Sequence, residues 1–131
     1  MQQGVIHHIE INVSNLKRSV TFWGWLLEEL GYEPFQRWEM GQSWKIAETY
    51  IVFVQTDEPF MDVPYHRRRV GLNHLAFHAS SRQQVDKLTK MLKENDVKIL
   101  YTDKHPFAGG QEHYAVFFED PDRIKVEVVA P

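Results

Sequence analysis

The first part of the chain alternates apolar and polar residues. In the strand predicted at 5–13, apolar side chains fall on every second residue from position 9, namely Ile9, Ile11 and Val13. The positions between them are polar, namely His8, Glu10 and Asn12. A two-residue period predicts a β-strand with one face packed on a core and the other lining a cavity.

A helix is predicted directly after this strand. Ser14 and Asn15 supply helix N-cap side chains, positions 16–30 carry apolar residues at helical spacing, and Gly31 ends the pattern. Strand patterns follow at 33–38, 43–48 and 50–55. The first part of the chain is thus predicted to run strand, helix and three further strands.

The same order then recurs. Positions 71–79 alternate as in a strand, and Ser80 and Ser81 can cap a helix predicted at 82–95. Strand patterns follow at 97–101, 114–118 and 124–129. The best internal match is His8-x4-Val13-Ser14 with His74-x4-Ala79-Ser80, at an offset of 66 residues. We therefore predict one α+β domain with a module at about 4–56, a connector at about 57–70 and a second module at about 71–131.

The composition of the chain excludes several kinds of functional site. The chain has 131 residues, a net charge of -3 and no cysteine, so thiolate chemistry, disulfides and Cys-based zinc sites are excluded. No apolar stretch spans a bilayer and no signal-peptide pattern opens the chain, so we expect a cytoplasmic protein without membrane contact. Nucleic-acid binding has little support. The one dense basic cluster, Arg67, Arg68 and Arg69, is either a solvated loop or an anion clamp at a pocket mouth.

Three ligand-capable side chains share the same strand parity. His8 and His74 lie at matching places of the two copies, and Glu127 lies between Val126 and Val128, which take the apolar face of the last strand. Two histidines and one carboxylate are typical of a facial triad for Fe(II), Mn(II) or another first-row divalent ion. From the pattern alone, three hydrogen-bonded structural residues remain the alternative.

Three segments resemble one known family. HHIEINVSNLKRS at 7–19, GLNHLAF at 71–77 and FFEDPDRIKVE at 117–127 are similar to the opening, middle and closing motifs of the vicinal oxygen chelate superfamily. This superfamily includes glyoxalase I, extradiol dioxygenases, and fosfomycin- and bleomycin-resistance proteins. The resemblance implies two βαβββ modules that form a cupped mixed sheet, and His8, His74 and Glu127 as ligands of one divalent ion (Fe2+, Mn2+, Zn2+, Ni2+ or Co2+). His7 precedes His8 by one residue, so its side chain is predicted on the helix side of the strand, as a structural histidine at the strand edge or in the core.

Two expected residues of that family are missing. The fourth ligand of glyoxalase I, a glutamate that closes the first module, is matched here by Phe53. Gln55, Glu48 and Glu10 are the candidates for another donor. Extradiol dioxygenases carry a tyrosine ten residues before the closing glutamate, and Phe117 takes that place here without the hydroxyl group. The reaction is therefore not fixed by the resemblance.

The resemblance implies a metal-dependent enzyme that binds two adjacent oxygens of a small-molecule substrate in lyase, isomerase or dioxygenase chemistry. His113 shares parity with Ala115 and Phe117, so we expect it near Glu127 as a general base, with Glu10 as a second candidate. The alternative is a non-catalytic protein that sequesters a ligand, as bleomycin-resistance proteins do. Because each half-sheet leaves an open edge and an apolar face, the modules are expected to pair within one chain or across a homodimer.

Overall fold

The computed structural model describes residues 2–131. The chain forms two compact units, of which the first extends to Pro64 and the second covers Tyr65–Pro131. The first unit contains β1 (His8–Val13), α1 (Leu16–Glu29), β2 (Glu33–Trp38), β3 (Gly41–Ile46), β4 (Thr49–Gln55) and a 3-10 turn at Glu58–Phe60. The second contains β5 (His74–His78), α2 (Arg82–Glu94), β6 (Ala115–Glu119) and β7 (Lys125–Val129).

The first unit is a four-stranded mixed sheet covered on one face by a helix. The strand order is β1-β4-β3-β2, with β1 parallel to β4 and the other neighbours antiparallel. Buried side chains of α1 and of the helix-facing strand positions form the core, namely Trp23, Leu26, Leu27, Ile11, Val13, Trp44 and Phe53. Gly24 lets α1 approach the sheet closely, because a Cβ atom there would lie 2.8 Å from Cζ2 of Trp44.

The starts of both helices and the end of α1 follow the predicted chemistry. The Asn15 side chain accepts a hydrogen bond from Arg18 N at 3.1 Å, and the Ser81 side chain accepts one from Gln84 N at 3.1 Å. At the end of α1, Gly31 adopts φ +97°, and the amide of Tyr32 donates to the carbonyl of Leu27 at 2.9 Å. These caps fix where the chain turns from each parallel strand into its helix.

The second unit repeats this plan with a smaller sheet. Its order is β5-β7-β6, with β5 parallel to β7 and β6 antiparallel to β7. The core lies between α2 and one face of the sheet and includes Val85, Leu88, Leu92, Val116, Phe118, Val126 and Val128. The predicted α+β class with two related modules is confirmed, as four and three strands with one helix each.

The predicted strand at 97–101 is wrong. Only an isolated bridge joins Ile99 to Phe118, supported by backbone hydrogen bonds from Leu100 N to Phe117 O and from Glu119 N to Lys98 O. Asp96 and Tyr101 both adopt φ +56°, and these left-handed residues bound the short extended segment on each side. The second module is therefore βαββ with a bridge where its remaining strand was expected.

The predicted first strands also begin later than the alternation suggested. Pairing starts at His8 rather than at residue 5, and at His74 rather than at residue 71. Each histidine is consequently the first residue of its strand. Within residues 2–131 no helix has the length and apolar character needed to cross a membrane.

Candidate metal centre

Glu127 lies on the central strand of the second sheet, on the face opposite α2. Its neighbours Val126 and Val128 are fully buried against the helix side, so strand alternation turns the carboxylate to the other face. The register places it beside Ala76 of β5 and Phe117 of β6. Glu127 is 5% exposed, so its carboxylate is largely removed from water.

The turn before β7 contains Asp120 and Pro121 of the closing motif at 117–127. Oδ1 of the buried Asp120 accepts hydrogen bonds from Asp122 N at 2.8 Å and from Ile124 N at 2.7 Å. The amide of Arg123 also donates to the carbonyl of Asp120, and Arg123 adopts φ +67°. This closed turn sets the register of β6 against β7, and thereby the position of Glu127.

His74 meets Glu127 from the neighbouring strand. Its Nε2 atom lies 3.2 Å from Oε1 of Glu127, although the two residues are 53 positions apart in the chain. Nδ1–H of His74 donates to Oδ1 of Asn73 at 2.7 Å. That hydrogen bond fixes the tautomer and leaves Nε2 as the nitrogen that faces the carboxylate.

This geometry fits two ligands of one divalent ion. First-row ions lie about 2.0–2.2 Å from a histidine nitrogen or a carboxylate oxygen, so two ligands at a right angle are separated by about 3 Å. A cation bound to both Nε2 of His74 and Oε1 of Glu127 would be shared by a nitrogen lone pair and a carboxylate oxygen. His74 and Glu127 therefore suit a divalent cation, although within residues 2–131 no set of three or more His, Cys, Asp or Glu side chains is arranged around one ion position.

His113 contacts the second oxygen of the same carboxylate. Its Nε2 donates to Oε2 of Glu127, so the predicted proximity of His113 to Glu127 is confirmed. The ring lies against Phe117, with centroids 6.4 Å apart. Gly109 leaves space for the ring, because a Cβ atom there would lie 3.0 Å from Cγ and 3.1 Å from Nε2 of His113. The role of Gly109 had no signal in the sequence.

His8 belongs to the first unit, where it begins β1. Its ring stacks on Tyr50, the residue beside it in β4, with centroids 4.8 Å apart and an interplanar angle of 5°. Nδ1 of His8 lies 2.9 Å from Nδ1 of His7, so Nε2 is left for another partner. His7 was expected to be a structural residue on the helix side. It is exposed and contacts His8, as Asn73 contacts His74.

The three candidate fourth donors of the first unit have different surroundings. Gln55 is occupied at the start of α1, where Oε1 accepts from Leu16 N and Nε2 donates to Ser14 O, both at 2.9 Å. Glu48 is exposed in the turn between β3 and β4. Glu10 is exposed on the face of β1 that carries His8. The amide of Gln55 therefore stabilises the helix start.

Phe53 was matched to the wrong position. It pairs with Ile11, so it points to the helix side, where its ring centroid lies 5.0 Å from that of Trp23. Val52 pairs with Glu10 as Glu127 pairs with Ala76, so Val52 occupies the place that corresponds to Glu127. A one-residue slip in register moves a side chain to the opposite face, and sequence matching missed that slip. The position still carries no carboxylate.

Phe117 lies close to the candidate ligands, as its match to the extradiol dioxygenase tyrosine predicted. It lies beside Glu127 in the register of β6 and β7, and its ring centroid lies 6.4 Å from that of His74. The residue supplies an aromatic wall at the His74–Glu127 pair. It has no hydroxyl group that would donate a hydrogen bond there.

Comparisons with known proteins agree with this architecture. The chain is 60% identical to the Bacillus subtilis (strain 168) protein YqjT over 126 residues, which cover 96% of this chain and 98% of that protein. A crystal structure of a Bacillus halodurans protein, described as a candidate glyoxalase, has 62% identity and a TM-score of 0.97, covering 98% of this chain and 97% of that one. The fosfomycin resistance protein FosX of Listeria monocytogenes shares the fold at 22% identity and a TM-score of 0.69, over 98% of this chain and 91% of that one.

A family model matches residues 5–128, nearly the whole chain. The three motifs at 7–19, 71–77 and 117–127 all lie within that range. The chain belongs to the Glyoxalase/Bleomycin resistance protein/Dioxygenase superfamily.

Proposed function

We propose that this protein is a divalent-metal-dependent enzyme that acts on a small oxygen-rich molecule through lyase, isomerase or dioxygenase chemistry. The observation that carries the proposal is the 3.2 Å separation between His74 Nε2 and Glu127 Oε1, with the other nitrogen of His74 held by Asn73. A buried carboxylate beside an oriented imidazole supports a cation site, because the carboxylate needs a charged or hydrogen-bonding partner and the ring is already held by its other nitrogen.

His74 and Glu127 are the two proposed ligands that already lie together, and His8 is the proposed third ligand. The family resemblance and the place of His8 at the start of β1, matching His74 at the start of β5, support this assignment. A bound Fe2+, Mn2+, Zn2+, Ni2+ or Co2+ ion would act as a Lewis acid toward two adjacent oxygens of the substrate. One triad implies one ion per chain.

His113 is the proposed proton-transferring residue. Because its Nε2–H donates to Oε2 of Glu127, a neutral ring carries its lone pair on Nδ1. That nitrogen is the atom that would accept a proton from the substrate, and Glu127 would hold the ring in place for the transfer. Glu10, on the His8 face of β1, is the second proposed base.

Elemental analysis of protein purified without added metal tests the ligand assignment. We expect about one divalent ion per chain in the wild type and its loss in His8→Ala, His74→Ala and Glu127→Gln. His78→Ala is the matched control, because His78 is an exposed histidine of the same strand, on the same face as His74. Circular dichroism should show that each variant keeps its fold. Equal metal content in all five proteins would overturn the proposal.

The catalytic part is tested with a panel of small hydroxycarbonyl, diol and thiol-adduct substrates. Turnover should require the metal-loaded protein, and His113→Ala should lower it by about 10²- to 10⁴-fold, the usual contribution of a positioned base, without changing the metal content. Metal binding together with a tight complex but no turnover for any compound would instead support a ligand-sequestering protein.

A further inference from the structure

The second unit contains a cavity of about 340 Å³ that is rich in positive charge. It is lined by two arginines, one lysine and two neutral polar side chains, namely Arg67, Arg68, Lys125, Asn73 and Tyr101. No carboxylate is among these lining residues. The volume is in the range of pockets that bind small molecules, which begins at about 300 Å³.

Only one of the three cations is neutralised by a carboxylate. Nη1 of Arg67 donates to Oε2 of the buried Glu119 at 2.6 Å. Within residues 2–131 neither Arg68 nor Lys125 forms an ion pair with an acidic side chain. The cavity therefore has excess positive charge that a bound anion would offset.

Lys125 is held in place by neutral groups. Its Nζ donates to the hydroxyl of Tyr101 at 2.9 Å and lies 4.9 Å from the centre of that ring and 5.3 Å from the ring of Phe117. Lys125 is half-buried, and its ammonium group has no carboxylate counter-ion among residues 2–131. An oxyanion in the cavity would supply that counter-ion and accept charge-assisted hydrogen bonds.

The cavity adjoins the His74–Glu127 pair. Asn73 lines the cavity and also holds Nδ1 of His74, and Lys125 is the residue beside His74 in the register of β5 and β7. Lys125 and Glu127 are two residues apart in β7 and so share one face of the sheet. A molecule anchored in the cavity would therefore extend past the proposed ligands.

We infer that this cavity binds an oxyanion group of the substrate, a carboxylate or a phosphoryl group, through Lys125, Arg68 and Tyr101. The substrate class is then a small anionic compound whose remaining oxygens face His74 and Glu127. This last step rests on the proposed function, whereas anion binding in the cavity does not need the metal. Arginine and lysine together suit such a group, because the guanidinium fork matches oxyanion geometry and the ammonium adds a compact charge.

Calorimetric titration of metal-free protein at low ionic strength tests the inference, with inorganic phosphate and acetate as the two probes. We expect saturable binding of at least one probe to the wild type, weakened about tenfold or more in Lys125→Met and in Arg68→Gln. Lys90→Met removes an equal charge from an exposed position of α2 and should change the affinity less than about twofold. The stronger probe identifies a phosphoryl or a carboxylate group as the preferred anion.

The result separates this inference from the metal proposal. Glu127→Gln should lose the metal and keep phosphate or acetate binding, whereas Lys125→Met should do the reverse. No saturable binding of either probe to the wild type would overturn the inference, as would equal weakening in Lys125→Met and Lys90→Met. Because Arg68 is exposed, Arg68→Gln should fold even if Lys125→Met does not, and unchanged binding in Arg68→Gln would also count against the inference.

Discussion

Oε1 of Glu127 lies 3.2 Å from Nε2 of His74, although the register of their strands sets them two residues apart. His74 pairs with Lys125 and Glu127 pairs with Ala76, so the glutamate side chain reaches back along the sheet to the start of β5. Asn73, just before that strand, holds the opposite side of the imidazole at 2.7 Å. The histidine is thus oriented by one residue next to it in sequence and one distant residue.

Asn73→Ala should weaken metal binding by about 10- to 100-fold, because the ring of His74 loses the acceptor that fixes its tautomer. Competition with a chromogenic chelator gives the affinity. Asn73→Asp keeps an acceptor oxygen and should retain most of the affinity, and Gln83→Ala removes an exposed amide on α2 as a control. Wild-type affinity in Asn73→Ala would show that this hydrogen bond does not orient a ligand.

Gly109→Ala should displace the imidazole of His113 from Glu127, because the added methyl group would overlap the ring. Metal content should stay unchanged, while turnover should fall about 10²-fold, as expected for a misplaced catalytic group. Long-range ¹H–¹⁵N spectra report the hydrogen bond of His113 directly, with His113→Ala identifying its signals. The prediction fails if these signals are the same in Gly109→Ala and in the wild type.

Gln55→Ala should lower stability and leave the metal in place. The variant loses two hydrogen bonds to the backbone at the start of α1, so Leu16 N and Ser14 O lose these partners. We expect a cost of about 1–3 kcal/mol in the free energy of unfolding. Urea denaturation measures the change, and Glu48→Gln, in the exposed turn after β3, is the control. Loss of metal at unchanged stability would instead identify Gln55 as a ligand.

Activity on the methylglyoxal–glutathione adduct and on simple catechols should be low in the metal-loaded wild type. Val52 provides no carboxylate at the place that corresponds to Glu127, and Phe117 provides no hydroxyl beside it. Steady-state assays with both substrates check this, and activity on other members of the substrate panel should be higher. Robust turnover of the glutathione adduct would show that the first sheet does not need a carboxylate at that position.

A homodimer is expected in solution. β2 is an edge strand whose residues are all exposed, and it carries Phe35 and Trp38 with 46% and 45% of their surface accessible. An exposed edge with large apolar side chains favours association with another chain. Sedimentation at micromolar concentration should show a dimer, and Phe35→Ser with Trp38→Ser should shift it toward monomer. A wild-type monomer at that concentration contradicts the prediction.

Strand parity was readable in the sequence because it depends only on neighbouring residues. The alternation around His8, His74 and Glu127 separated the helix-facing side chains from the opposite face, and Asn15 and Ser81 marked the helix starts. These features rest on local backbone geometry and on the burial of every second residue. The fold class and the face that carries the candidate ligands therefore followed from the sequence.

Tertiary structure decided how residues from different strands meet. The register of the first sheet shows that Val52, and not Phe53, corresponds to Glu127. The segment predicted as a strand at 97–101 forms only a bridge, with left-handed residues at 96 and 101. The contacts of Glu127 with His74 and His113, and the grouping of Arg68 with Lys125 around one cavity, join residues that are far apart in the chain. Such contacts depend on how β5, β6 and β7 align, and a one-residue shift in that alignment changes every pair without changing the local pattern.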